Sequence, residues 1–306
     1  MKKEGLNYVA AALLAAWIAA PMPTEARQNF SVDFPDGASR CADVRVRSSG
    51  QIAQAAESFA LARRDASVLA VSGLEHAQIR VRGWDQPGYS VEACKIAAAD
   101  DSATANQTLK SVAVTRNGSR FSASGPSSND AQWQVVFIVR APKGASLDLE
   151  TRNGPIQARD IDGALKARAA NGPVSIDNCS GTVEAHVTDG PISFTGGSGD
   201  VRLTAENGPI SVKLSGENWN GPELDARAIN GPLSVALPSA FRSGVRIETG
   251  AHAPLRCGLD ACRGARTDAD STHRILQLNG SNATVRLSAA NGPVSVGGGN
   301  RRHGAI

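Results

Sequence analysis

In the second half of the chain, short runs alternate apolar and polar residues one by one, as strands do when successive side chains point to opposite faces. The runs Ile156-Gln157-Ala158, Val174-Ser175-Ile176, Ile192-Ser193-Phe194 and Ile210-Ser211-Val212 begin 18 residues apart. Nine residues after the first three come Leu165-Lys166-Ala167, Val183-Glu184-Ala185 and Val201-Arg202-Leu203. The pattern predicts two short strands in each 18-residue unit, with the aliphatic columns buried and Gln157, Ser175, Ser193 and Ser211 exposed. Lys166, Glu184 and Arg202 form a second outward column whose signs alternate, as neighbours about 4.8 Å apart on adjacent strands prefer.

The punctuation between the runs decides how the units assemble. Asn153-Gly154-Pro155, Asn171-Gly172-Pro173, Asp189-Gly190-Pro191 and Asn207-Gly208-Pro209 recur at the same interval, and the phrase returns at Asn230-Gly231-Pro232 and Asn291-Gly292-Pro293. Asn-Gly ordinarily signals a tight hairpin. Here proline follows at once and lacks the N–H that closes a hairpin, so Gly-Pro instead makes an abrupt corner at the start of the next strand. Residue identity, and not only polarity, repeats at the unit length, which favours units stacked in parallel over a meander. The expectation is an all-β chain built on a β-solenoid of short 18-residue, two-strand coils over residues 143–296, with Gly154, Gly172, Gly190, Gly208, Gly231 and Gly292 at its corners. The repeat stretches at Glu217–Pro222, and a larger interruption is expected as a loop insertion over 251–272.

Residues 67–142 alternate without the Gly-Pro beat and read as a mixed, mostly β cap, with strands near Val68–Val71, Ala77–Arg82, Tyr89–Ala93, Ala113–Thr115, Arg120–Ala123 and Gln132–Arg140. A short helix is expected over Asp101–Ser111. Within the extension 27–66, Gln51–Arg63 fits either a helix or a loop, and the Gly- and Arg-rich tail 297–306 reads as disordered. At the other end, Lys2 and Lys3 precede an apolar run of 13 residues from Tyr8 to Ala20, shorter than the roughly 20 a membrane span needs. Residues 1–26 therefore read as an export signal cleaved after Ala26, which predicts a chain that does not span the membrane and works in the periplasm or outside the cell.

Charge and cysteines narrow the partners. The 32 basic and 29 acidic residues nearly cancel without a strongly cationic block, which argues against nucleic acid. An exported chain keeps disulfides. Cys257 and Cys262, with four residues between them, suggest a stapled loop in preference to zinc, because His252 and His273 lack ligand spacing. Cys41 and Cys94 are the candidate N-terminal pair and Cys179 the odd, packed thiol, although spacing does not fix connectivity.

Val81-Arg82-Gly83-Trp84-Asp85, the stretch Pro142-Lys143-Gly144-Ala145-Ser146-Leu147-Asp148-Leu149-Glu150-Thr151 and the Asn-Gly-Pro-aliphatic-Ser repeats together resemble the bacterial putative-adhesin family of β-strand-repeat proteins, over residues 65–296. The resemblance implies the fold and brings no catalytic residues.

Chemistry is sparse in the pattern. Asp160, Asp162 and Asp177 sit near adjacent corners, where paired acids could cleave a glycosidic bond, but aspartate at a corner more commonly satisfies turn backbone. Trp84, Trp133 and Trp219 are scattered, and the serine column Ser175, Ser193, Ser211 and Ser234 lacks a base at nucleophile spacing. No cofactor or metal site is expected. The residues point to a non-catalytic envelope or surface interaction module that contacts an envelope protein or polysaccharide through the serine column. A regulatory, stress-sensing envelope protein and a polysaccharide-acting enzyme are the alternatives.

Overall fold

The computed structural model describes residues 30–35, 37–73, 75–127, 131–250, 253–270 and 272–298. The expected export signal, most of the tail, His252 and His303 lie outside the described residues. Within them the chain is all-β with a single α-helix, Ser102–Ser111, and its strands form one 12-stranded sheet, one 11-stranded sheet and a two-stranded ribbon.

Each repeat unit lays one strand in each large sheet. In the 12-stranded sheet Leu147–Asn153, Ala164–Asn171, Thr182–Asp189, Ser198–Asn207 and Asn220–Asn230 pair in parallel. Ile156–Arg159, Val174–Asp177, Ile192–Gly196, Ile210–Leu214 and Leu233–Leu237 do the same in the 11-stranded sheet. Equal positions stand over one another, so Ile156, Val174, Ile192, Ile210 and Leu233 form one buried column, and Leu165, Val183, Val201 and Leu224 another. Inward side chains of both sheets belong to one continuous core. The polar columns face out, as the alternation requires.

The corners are built as the Gly-Pro phrase dictates. The N–H of Ile156 donates to the Pro173 carbonyl, that of Val174 to Pro191 and that of Ile192 to Pro209, each at 2.9 Å. Proline thus serves the ladder as an acceptor where its missing donor is not needed. Outside each corner an amide ladder runs along the stack: Asn171 donates to Asn153, Asn207 to Asp189, Asn230 to Asn207 and Asn291 to Asn230, at 3.0 to 3.1 Å. Such ladders are a mark of identical strands stacked in register.

The stack is longer than the Gly-Pro beat indicates. Leu69–Gly73 and Ala77–Trp84 form a rung ahead of the first copy, with Leu69 opposite Leu147 and Ile79 opposite Ile156. Beyond that rung, Ala131–Pro142, Gly88–Ala99 and Gln51–Ala62 continue the 11-stranded sheet. Gln51–Arg63, expected as helix or loop, is therefore mainly a 12-residue strand. Its alternation is masked because its small alanines serve on both faces, and what places it is pairing with Gly88–Ala99. The helix appears where expected; Asp101 caps it by accepting from the N–H groups of Ala103 and Thr104, which holds its carboxyl below the usual range together with the Thr104 hydroxyl.

At the other end the chain order departs from the spatial order. Ala283–Ala289 lies between Asn220–Asn230 and Gly244–Gly250, parallel to both. The interruption is not a simple loop: Leu255–Cys257 edges one sheet, Arg266–Ala269 edges the other, and Asp260–Gly264 is a 3-10 turn. Cys257 and Cys262 are disulfide-bonded.

Residues 30–47 cross the outer face of the 11-stranded sheet as a strap. Its ribbon pairs Ser31–Asp33 with Arg45–Arg47, and Cys41 and Val44 sit in a small second core on Cys94, Ile96, Val136 and Ile138. The disulfide Cys41–Cys94 pins it there. Replacing both cysteines with serine is expected to lower stability by about 2–4 kcal/mol, since the bond closes a long loop of the unfolded chain. Thermal unfolding of the double variant checks this, and an unchanged melting temperature would contradict it.

Candidate functional site

The serine column assembles as the sequence predicts. Ser175, Ser193, Ser211 and Ser234 are successive register partners on the outer face of the 11-stranded sheet, half-buried to exposed. Ser211 and Ser234 hydroxyls are 3.1 Å apart. The row extends further: Gln157 and Arg80 precede it and Ser295 and Arg256 follow it. Ser295 follows its Gly-Pro-aliphatic phrase as the other serines do, so the same signal marks it.

Two residues along each strand runs a parallel row, Arg140, Arg82, Arg159, Asp177, Thr195 and Lys213. Beside the middle of the strap, this row and the head of the serine row line a cleft of about 280 Å³. Its walls include Gly37, Ala38 and Ser39 from the strap, Trp84, and the side chains of Arg80, Arg82, Arg140 and Arg159. Arg80 donates through Nε to Gln157 Oε1 at 2.8 Å and lies over the Phe34 ring at 4.2 Å. Arg159 pairs with Asp177 at 2.9 Å and Arg82 with Asp160 at 3.5 Å. The Arg140 guanidinium is 5.8 Å from the Trp84 ring centroid, and the indole N–H donates to the Gly88 carbonyl at 2.9 Å.

Of the corner aspartates, Asp160 and Asp162 come together outside the strands, whereas Asp177 ends the strand Val174–Asp177 and pairs with Arg159. Asp160 has φ +60° and accepts from the Asn178 amide at 2.7 Å, while Asp162 accepts from the Ser180 hydroxyl at 2.9 Å. With Arg82, Asp85 and Lys143 they edge a second concavity. There the Asp85 carboxylate, 2.8 Å from Lys143, holds that ammonium above its ordinary range. The corner glycines are fixed by close approach, since a Cβ on Gly172, Gly190, Gly208, Gly231 or Gly292 would strike the glycine one rung before, and on Gly154 would strike Ala77.

The tryptophans are distributed as the sequence indicates. Trp133 and Trp219 are buried, with indole N–H groups on the Pro126 and Gly199 carbonyls. Trp219, in the stretched unit expected to be surface loop, instead turns its ring inward against Phe194. Cys179 is a buried free thiol whose pKa burial pushes up to about 11. His186 lies 3.1 Å from Glu206 in the outer column between Arg168 and Thr204. Among the described residues, no group of three or more His, Cys, Asp or Glu side chains is placed to hold a metal, and no helix is long and apolar enough to cross a membrane.

No family model and no curated protein matches the chain. Solved structures of similar course include a putative cell adhesion protein from Clostridium sporogenes, 10% identical, covering 80% of this chain and 98% of that one at a TM-score of 0.34. A putative adhesin from Bacteroides fragilis is 9% identical over 80% of this chain and 97% of its own, TM-score 0.38. A putative lipid binding protein from Parabacteroides distasonis is 10% identical over 80% and 96%, TM-score 0.34.

Proposed function

We propose that the chain is an exported, non-catalytic β-solenoid that works as an envelope or surface interaction module. The observation that carries this reading is the serine row, which repeats one hydroxyl per rung from Ser175 to Ser295 on an outer sheet face. A periodic polar face suits an extended polysaccharide or envelope protein, because each rung offers the same contact and many weak contacts add. Asp160 is engaged by Asn178 and Arg82, Asp162 by Ser180 and Asp177 by Arg159, which supports the non-catalytic reading over glycoside cleavage.

The test places a large charged side chain on the row. Ser193→Glu with Ser211→Arg, opposite charges on directly paired positions, is expected to abolish retention of cell-envelope fractions by the purified protein. The melting temperature should stay within a few degrees, since exposed substitutions usually cost within about 0.5 kcal/mol. Full retention with intact folding would remove the row as the contact face. Release of new sugar ends during the same incubation would favour the enzyme.

A further inference from the structure

On the 12-stranded sheet Asp148, Lys166, Glu184, Arg202, Asp225 and Arg286 are successive register partners of alternating sign, until Arg286 meets Arg246 at the next step. The other sheet gathers a longer run of like charge at one end. Arg140, Arg82 and Arg159 are successive partners there, three like charges on adjacent strands. Cross-strand like charges are destabilising when directly opposed. The acids alongside offset them only in part, because Asp177 lies beside Arg159 at the end of the run and Asp160 reaches Arg82 from the corner. Beside these ion pairs Arg82 and Arg159 keep 62% and 46% of their side-chain surface in water.

The surroundings make this run a site. The four arginines, with Asp177 as the one acid among the lining residues, share the cleft of about 280 Å³ with Trp84 and the strap backbone at Gly37–Ser39. That volume is close to the lower end of small-ligand pockets. Arginine forks match a carboxylate two oxygens at a time, and such paired contacts strengthen away from bulk water. Gln157 and Ser175 also line the cleft and begin the serine row, so a ligand held by its acid group meets hydroxyl partners where it leaves. An aromatic wall, a carboxylate clamp and a hydroxyl-matching exit fit one ligand class.

We propose that this cleft binds the carboxylate of an acidic saccharide, a uronate unit, with Arg82, Arg140 and Arg159 as the anion clamp and Trp84 beside the sugar ring. The proposal deepens the polysaccharide reading of the serine row and rests on it for the direction in which a longer chain extends. The strap pinned by Cys41–Cys94 forms one wall, so the site depends on that disulfide as well.

Calorimetric titration of the intact protein with trigalacturonate tests the assignment, with neutral galactotriose and an acidic tripeptide of equal charge as comparison ligands. Trigalacturonate should bind and the other two should not. Arg140→Gln and Arg82→Gln should each weaken binding about tenfold or more, the loss expected for one charge-assisted contact. Arg140→Lys keeps the charge without the fork, should weaken binding less than Arg140→Gln, and stands in for it if the glutamine variant fails to fold. Absence of trigalacturonate binding, equal binding of galactotriose or the peptide, or unchanged affinity in folded arginine variants would overturn the proposal. The serine-row variant separates the two readings: lost envelope retention together with unaltered arginine-variant affinity would sink the cleft and leave the row standing.

Discussion

Gly190→Val is expected to prevent the chain from reaching its stacked fold, leaving a protein that unfolds without a cooperative transition. Two independent costs meet at this corner. Gly190 has φ +147°, a region that residues with a Cβ rarely enter. A Cβ there would also lie 2.6 Å from the Gly172 carbonyl oxygen and 3.0 Å from its carbon. Both are backbone atoms of the rung before, and they cannot rotate aside as a flexible side chain would. Separating the rungs enough to admit the methyls would break the Gly172 N–H bond to Asp189 and the Val174 N–H bond to Pro191 on either side. The combined loss exceeds about 4–5 kcal/mol, a large part of a domain's total stability. Gly118→Ala is the control. It too has a positive φ, +61°, but nothing lies within 4 Å of a Cβ there. Its cost should stay near about 1–2 kcal/mol, the backbone strain alone. Circular dichroism through thermal unfolding compares the two, and a cooperative transition in Gly190→Val would refute the close-approach argument.

Trp219→Ala should destabilise the protein by about 3–5 kcal/mol, as for other buried tryptophan truncations. The side chain is 5% exposed, its ring stands 6.2 Å from that of Phe194, and its N–H is on the Gly199 carbonyl at 3.2 Å. Alanine leaves both a void beside Phe194 and a carbonyl without its donor. Trp219→Phe refills much of the void and loses only the hydrogen bond, so it should cost about 1–3 kcal/mol. Urea unfolding midpoints rank the three proteins, and equal midpoints for wild type and Trp219→Ala would show that the stretched unit is merely a surface excursion.

The parts of the architecture visible in the sequence are those that repeat. Ile156, Val174, Ile192 and Ile210 announce their column because stacked rungs impose the same environment on the same position, and the Asn-Gly-Pro phrase marks each corner for the same reason. The phrase at Asn291 even identifies its neighbour: although 61 residues separate it from Asn230, the two amides are hydrogen-bonded. What repetition does not encode was hidden. The rung Leu69–Trp84 lacks the phrase because different connections enter and leave it. Gln51–Ala62 is a strand through its pairing with Gly88–Ala99, not through its own pattern. The arginine cleft was illegible for a related reason. Arg82 lies near the end of the strand Ala77–Trp84 and Arg140 near the end of Ala131–Pro142, and only lateral pairing of these separate segments sets them beside Arg159.

The out-of-order strand near the end has a consequence for how the molecule is made. Ala283–Ala289 is synthesised after both Asn220–Asn230 and Gly244–Gly250, yet its place is between them. A nascent chain that stops short of residue 283 therefore carries a bare strand edge at Asn220–Asn230, and Gly244–Gly250 is the nearest segment able to occupy it. Such premature pairing puts the terminal piece directly on the growing stack and closes the slot against its proper occupant. Completion of this fold is thus a matter of timing as well as of pairing, with Ala283–Ala289 acting as a keystone that must arrive before the slot is sealed.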